Sequence, residues 1–169
     1  MVVTQMDLEK YGTREIFLSA IRSEMEAREF YRALAARVKN AYLKGRLLFL
    51  ASEEEKHRRH LTRLYREEFG RGRIPVPEAS IVPMPALRVP RAGEPISGLI
   101  EAAMEAERAA SDFYASLAKR FEPGSAQARA LTYLAQMELG HHRLLESERE
   151  LMAKEEWFAT EWPMMHAGP

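Results

Sequence analysis

The strongest constraint on this chain is a short pattern that occurs twice. Leu50-Ala51-Ser52-Glu53-Glu54-Glu55-Lys56-His57 and Leu134-Ala135-Gln136-Met137-Glu138-Leu139-Gly140-His141 both read Leu-Ala-x-x-Glu-x-x-His. In a helix, residues three apart lie about 300° round the axis and almost one turn along, so a carboxylate and an imidazole at that spacing project together from one face. Two such donors on one rigid turn make half of a metal site. A single Glu-x-x-His carries little weight in a chain with 25 acidic residues, but its repetition inside a longer match does.

That match extends upstream. Glu24-x-x-Ala27-x-x-Phe30-Tyr31-x-x-Leu34-Ala35 is answered by Glu107-x-x-Ala110-x-x-Phe113-Tyr114-x-x-Leu117-Ala118, six of the twelve positions being identical. The copies are offset by 83 residues at this element (Glu24 to Glu107) and by 84 at the other (Glu54 to Glu138), so one residue of slippage separates two half-chains. The chain reads as a duplicated helix pair.

Hydrophobic periodicity places the helices. Thr13 suits an N-cap, with Glu15 in a first turn where its charge favours the helix dipole, and helix 1 is expected over residues 13–38. Its apolar stripe is Phe17, Ala20, Ile21, Ala27, Tyr31, Leu34 and Val38; Glu24 falls inside it, whereas Arg22, Glu26 and Glu29 fall outside. Helix 2 is expected after Asn40, over residues 41–69, with Leu43, Leu47, Leu50, Glu54, His57, Leu61 and Leu64 inward and Glu53, Glu55, Lys56 and Arg58 outward. Ser97 reads as the cap of helix 3, over residues 97–121 through Ile100, Ala103, Glu107, Ala110, Tyr114, Leu117 and Phe121. Pro123-Gly124-Ser125 makes a turn, and helix 4 follows over residues 126–154 through Leu131, Leu134, Glu138, His141 and Leu145. Gly140, in mid-helix at a cost of about 1 kcal/mol relative to Ala, suggests a close neighbour or room for a ligand. Residues 155–169, with Trp157, Phe158 and Trp162, form a short helical or extended C-terminal segment expected to pack on the bundle or on a second subunit.

Residues 70–95 hold six prolines and no helical period, and read as an extended connector. So long a structureless stretch counts against a compact domain unless the topology demands it. A four-helix bundle whose third helix runs parallel to its second does demand it. The connector is expected to lie along the bundle, held by Ile74, Val76, Ile81, Val82, Met84 and Leu87, and the whole of 1–169 to form one all-α domain.

Composition narrows the function. The 25 basic residues balance the 25 acidic ones, which argues against nucleic acid or an anionic membrane as partner. With no cysteine there is no disulfide, no thiolate-bound zinc and no iron–sulfur cluster, so any metal must sit on N and O donors. The first ten residues lack a basic segment leading into an apolar run, and no run approaches a membrane span, so a soluble, cytoplasmic protein is expected.

The four stripes converge on Glu24, Glu54, His57, Glu107, Glu138 and His141: one Glu from each of two helices and a Glu-x-x-His from each of the other two. That is the donor pattern of a dinuclear carboxylate centre in a helix bundle. Four carboxylates carry the charge that two divalent ions cancel, and without metal some of these acids must hold protons. One inward Glu alone would read as a stripe miscounted by a position, and one inward His as a core residue. Six in two matching sets do not. Tyr31 and Tyr114 stand seven residues beyond Glu24 and Glu107, where core packing and a hydrogen bond to a ligand carboxylate both fit. His60, His142 and His166 lie off the stripes as surface residues, and the charged runs 53–55 and 56–59 read as a solvated helix face.

At these residues the chain resembles the rubrerythrin-like family of the ferritin-like di-iron carboxylate superfamily. The two motifs, the proline-rich crossover and the spacing carry the likeness over residues 13–154. The resemblance implies a ferritin-like antiparallel bundle with one long crossover between helices 2 and 3, holding two Fe ions, with Mn or Zn as possible substitutes. By analogy Glu54 and Glu138 bridge the metals and Glu24, His57, Glu107 and His141 are terminal, either Glu being free to share a metal with either His. Two departures stand out. A chain without cysteine has no rubredoxin module, so electrons must come from an external donor such as a rubredoxin-type protein. Rubrerythrins also often carry an extra Glu in helix 3, whereas one turn from Glu107 this chain has Met104, Ala110 and Ser111.

The expected function is a redox reaction of the di-iron or di-manganese centre with hydrogen peroxide or dioxygen, in oxidative-stress defence, by an oxidoreductase that forms a homodimer. Hard carboxylates and borderline imidazoles suit Fe(II) or Mn(II). Two alternatives are an iron-handling protein that oxidises ferrous ion without turnover, and a helical interaction module with a structural metal site. Turnover with an added reductant separates the first from the enzyme, and a reduced, iron-loaded protein that shows no spectral change with either oxidant would favour the second.

Overall fold

The computed structural model describes residues 8–82, 85 and 87–161, with side chains of the last helix described as far as Lys154. Four helices follow a single 3-10 turn at Leu8–Lys10: α1 (Thr13–Arg37), α2 (Ala41–Phe69), α3 (Ile96–Ala118) and α4 (Ala126–Glu161). There is no strand among the described residues.

The buried apolar residues fall into two clusters, and these give the direction of every helix. One joins the start of α1 (Ile16, Phe17, Ile21) to the end of α2 (Leu61, Leu64, Tyr65), the end of α3 (Phe113, Tyr114, Leu117) and the start of α4 (Leu131, Leu134). The other joins the end of α1 (Phe30, Tyr31, Leu34) to the start of α2 (Leu43, Leu47, Leu50), the start of α3 (Ile100, Ala103) and Leu145 of α4. Thus α1 runs against α2 and α3 against α4, each pair packed along its length, while α2 and α3 run the same way. The connector must then travel the length of the bundle. Its 26 residues suffice, because extended chain covers about 3.3 Å per residue against 1.5 Å in a helix.

The connector is tied down at both ends. Val82 is fully buried in the first cluster, with Ile74 and Val76 packed beside it, and Leu87 packs against the second. The Ser19 hydroxyl, on the buried side of α1, accepts the N–H groups of Ile81 and Val82 at 3.1 and 3.2 Å. Arg37 donates to the Glu94 carbonyl at 2.5 Å. Ile81, expected to anchor by its side chain, is 43% exposed and is held by its backbone instead. Met84 lies outside the described residues.

Several boundaries differ from expectation. Gly12, not Thr13, is the N-cap of α1, and Glu15 accepts the Gly12 N–H at 2.9 Å. Pro95, not Ser97, precedes α3, because its fixed φ suits the residue entering a helix and its carbonyl accepts the Leu99 N–H at 3.2 Å. At the far end α3 stops at Ala118 and not at residue 121, yet Phe121 still packs edge-on against Phe17 at 6.1 Å. The backbone of α4 continues to Glu161, seven residues past its expected end, since nothing between 154 and 161 breaks a helix. The side chains of Trp157 and Phe158, together with Trp162 and His166, lie outside the described residues. Asn40 caps α2 as a side-chain acceptor for Tyr42 and Leu43 N–H, and Gly70 ends it at φ 94°, a left-handed conformation that favours glycine.

Two residue-level expectations are corrected. Glu53 is buried, not outward, and it pairs with Lys56 at 2.5 Å. Of the two readings of Gly140, the close neighbour is not found: a Cβ built on it meets nothing within 4 Å and would stand in open space.

Candidate metal centre

The two apolar clusters do not meet along the helices. Between Ile21 and Phe30 on α1, Ala51 and Leu61 on α2, Met104 and Phe113 on α3, and Ala135 and Leu145 on α4 lies a polar layer. It contains Glu24, Glu54, His57, Glu107, Glu138 and His141, none more than 4% exposed. The sequence stripes thus bring all six together, because each acid occupies an inward position of its helix.

Their mutual geometry follows the sequence repeat. Glu54 lies 3.4 Å from the Nδ1 of His57 and 3.4 Å from that of His141. Glu138 likewise approaches both, at 2.8 and 3.2 Å. Glu24 approaches His57 at 3.7 Å, and Glu107 approaches His141 at 3.5 Å. The two imidazoles face each other, centroids 5.3 Å apart and planes 17° from parallel. Donor atoms of Glu54, His57, Glu138 and His141 all lie within 4.8 Å of one another, close enough to share a metal ion.

The tyrosines cross between halves. Tyr31 of α1 donates to Glu107 of α3, and Tyr114 of α3 donates to Glu24 of α1. Each tyrosine therefore orients the acid of the opposite helix, not the one on its own. Sequence spacing left this open, because register along one helix says nothing about the partner across the bundle.

Charge explains the protonation of this layer. Burial, reinforced by the charge of Glu54, holds the Glu24 carboxyl well above the usual range. Burial with the charges of Glu24 and Glu107 pushes Glu138 up to about 8. Burial also works to raise Glu107, but His141, Glu138 and Tyr31 beside it outweigh that and bring it below the usual range. Burial works to lower the imidazoles, yet the carboxylates against them carry His57 up to about 11 and raise His141 too. Tyr31 and Tyr114, raised far above an ordinary phenol by burial and by the neighbouring acids, keep their protons and remain donors.

Protons do not satisfy the layer fully. Glu24 Oε2, Glu54 Oε1, Glu138 Oε1, His57 Nδ1 and both ring nitrogens of His141 are buried without a hydrogen-bond partner. The 2.8 Å approach of His57 to Glu138 lacks hydrogen-bond alignment. Each buried polar atom left unpaired costs about 1–3 kcal/mol, so six that converge fit bound cations. The donor set, all carboxylate and imidazole, fits divalent metals of intermediate hardness.

Other expectations near the site resolve as follows. His60 is half-buried and lies 3.3 Å from Arg63, and His142 is half-buried with Nδ1 2.8 Å from the Met104 carbonyl, so neither faces the layer. No carboxylate stands one turn from Glu107: Met104 is buried, and the Ser111 hydroxyl donates to the Ala135 carbonyl at 2.7 Å. The sequence reading missed Ser23 and Ala106, which together with Ala27 and Ala110 of the stripes border a cavity of about 20 Å³ reaching Glu24, Glu54, Glu107 and Glu138. The signal was available, since 23 and 27 occupy the repeat positions of 106 and 110.

The fold and the layer agree with comparisons to known proteins. Among solved structures the chain is similar to a hypothetical protein from Pyrococcus furiosus, with 35% identity, a TM-score of 0.80, and coverage of 88% of this chain and 94% of that one. No curated protein matches it. The family model described as Rubrerythrin matches residues 15–149, most of the bundle and all six residues of the layer, and the chain belongs to the rubrerythrin family.

Proposed function

We propose that Glu24, Glu54, His57, Glu107, Glu138 and His141 hold two metal ions, iron in the first instance and manganese or zinc as substitutes, and that the loaded protein reduces hydrogen peroxide or dioxygen. The observation that carries the reading is the set of six unpartnered polar atoms converging between two dry clusters. The distances support a division of roles: Glu54 and Glu138 each stand against both imidazoles, as bridging ligands would, while Glu24 stands against His57 and Glu107 against His141, as terminal ligands would.

Two ferrous ions, when bound, supply the two electrons that break an O–O bond, hydrogen peroxide taking up two protons to give two waters. The protein's own residues prepare that chemistry. The hydrogen bonds from Tyr31 and Tyr114 fix the Glu107 and Glu24 carboxylates in one orientation, so the ligands need not reorganise on loading. The flanking apolar clusters exclude bulk water and keep the charges strongly coupled. Electrons for repeated turnover come from a separate donor such as a rubredoxin-type protein, because this chain has no cysteine to hold a cluster of its own.

The absence of a carboxylate one turn from Glu107 favours a second reading, in which the site oxidises ferrous iron and hands it on. Anaerobic ferrous protein mixed with hydrogen peroxide distinguishes the two. Reoxidation once per centre, then many turnovers on adding a rubredoxin-type donor with its reductase, is the expected result. Release of ferric ion without turnover would support the second reading.

A further inference from the structure

The chain is neutral as a whole, but its charge is unevenly placed. Residues 56–73 hold seven Lys and Arg against two Glu. Arg58, Arg59, Arg63, Arg66 and Arg71 line an open groove on the outer side of α2, with Glu67 as the acid among them. Their neighbours do not neutralise them. Glu55 alone serves Arg58 at 2.8 Å, Arg59 at 2.9 Å and Arg28 at 3.4 Å, and Glu67 stands 3.9 Å from Arg63. Arg66 and Arg71 make no ion pair or side-chain hydrogen bond among the described residues. Arg59 and Arg63 keep 71% and 62% of their side chains in solvent, open to a partner. The repeat shows that the fold does not require this charge. Counting 84 residues on from Arg58, Arg59, Arg63 and Arg66 gives His142, Arg143, Ser147 and Glu150 on α4, so the halves agree at the buried acids and imidazoles and differ at this outward face. The groove also lies next to the polar layer. His57 enters the layer from the turn of α2 that carries Arg58 and Arg59, and one helix thickness, about 10 Å, separates the two.

We infer that this arginine face is the landing site of an acidic electron-transfer protein, which reduces the metal centre across α2. The inference rests on the proposed metal site and its need for an outside donor, and it adds where and by what charge that donor is recognised. Electron-transfer encounters bury little area, so complementary charge that steers the approach counts for more than apolar contact. Guanidinium groups suit the task, because each can meet a carboxylate through two parallel N–H bonds. The excess charge is confined to this one face and cancelled by the rest of the chain, which favours a small acidic protein surface over a nucleic acid. A one-electron donor gives one electron per visit. Two donor molecules oxidised in two visits restore the two electrons that hydrogen peroxide takes, with two protons, to form two waters.

The test follows reduction of the oxidised, iron-loaded protein in stopped flow by a reduced rubredoxin of net negative charge. The rate constant should fall at least about tenfold between about 20 and 200 mM NaCl. Arg63→Glu combined with Arg66→Glu should cost at least about tenfold at low salt and flatten that salt dependence. The pair Arg63→Gln and Arg66→Gln should lie between, and Arg143→Glu on α4 should have no effect. Reduction by cationic methyl viologen should not slow in any variant, which shows the centre intact. Zinc-substituted rubredoxin gives a readout free of redox chemistry: its acidic residues should shift in NMR titrations with the parent protein and not with the Glu pair. Equal donor rates in the parent and the Glu pair, or an equal loss from Arg143→Glu, would overturn the docking face while leaving the metal reading intact. So would binding of pyrophosphate at the arginines with no binding of the acidic protein. A protein that takes up no iron yet binds zinc-substituted rubredoxin through these arginines would uphold the face and overturn the metal reading.

Discussion

The Tyr31 hydroxyl donates to the carboxylate of Glu107, which lies in the other half of the repeat, and the same bond recurs with the halves exchanged. Replacing Tyr31 by Phe leaves a buried carboxylate oxygen short of one donor. The expected cost is about 1.5–3 kcal/mol of stability, and the loss of ligand orientation should weaken metal binding by about 10–100-fold. Tyr114→Phe should do the same through Glu24. Thermal melts and metal titrations check both, and an unchanged affinity in either variant would show that the tyrosines only fill space.

The protonated layer gives the metal-free protein a distinctive pH dependence. Glu138 is held up to about 8 from its usual 4.5, and His57 up to about 11 from 6.5. Both bind protons more tightly folded than unfolded, so the stability they contribute is full below the unfolded values and drains away as pH rises through the folded ones. Between pH 6.5 and 8 both groups act with the same sign. Chelator-treated protein should therefore melt at a lower temperature at pH 8 than at pH 6.5. Metal-loaded protein should show the reverse trend in affinity, because metal must displace those protons. A metal-free melting temperature that rises over this window would contradict the assignment.

Much of this site was legible in the sequence, for a physical reason. A stripe that includes an acid at Glu24 and again at Glu107 must aim both at the core, and the duplication makes accident a poor explanation. The Pro-rich connector likewise follows from the need to bring α3 parallel to α2. What escaped was set across the bundle and not along a helix. The crossed tyrosines depend on which helix faces which. Glu53 is buried and pairs with Lys56, a local pairing that a hydrophobic stripe does not register. Ser19 is inward because connector amides need an acceptor there.

Ser19 gives a test of how the connector is held. Removing its hydroxyl by Ser19→Ala leaves the Ile81 and Val82 N–H groups without their acceptor, at an expected cost of about 1–3 kcal/mol. The loss should be local first, so limited proteolysis should cut between residues 70 and 95 faster in the variant than in the parent. Equal cleavage rates would place the anchoring in the packing of Ile74, Val76, Val82 and Leu87 instead.

Gly140 offers a gain. It sits exposed in mid-helix on α4 with open space where a Cβ would go. Gly140→Ala should stabilise the protein by about 0.4–1 kcal/mol, read as a higher denaturant midpoint with an unchanged slope. A lower midpoint would mean that the turn carrying Glu138 and His141 needs the glycine.

The central claim is that six side chains hold two metals, and stoichiometry tests it most directly. After anaerobic loading with ferrous iron and removal of excess, elemental analysis should find two irons per chain, and Glu54→Ala or Glu138→Ala should lose both, since each carboxylate stands against both imidazoles. One iron or none in the parent protein would contradict the account.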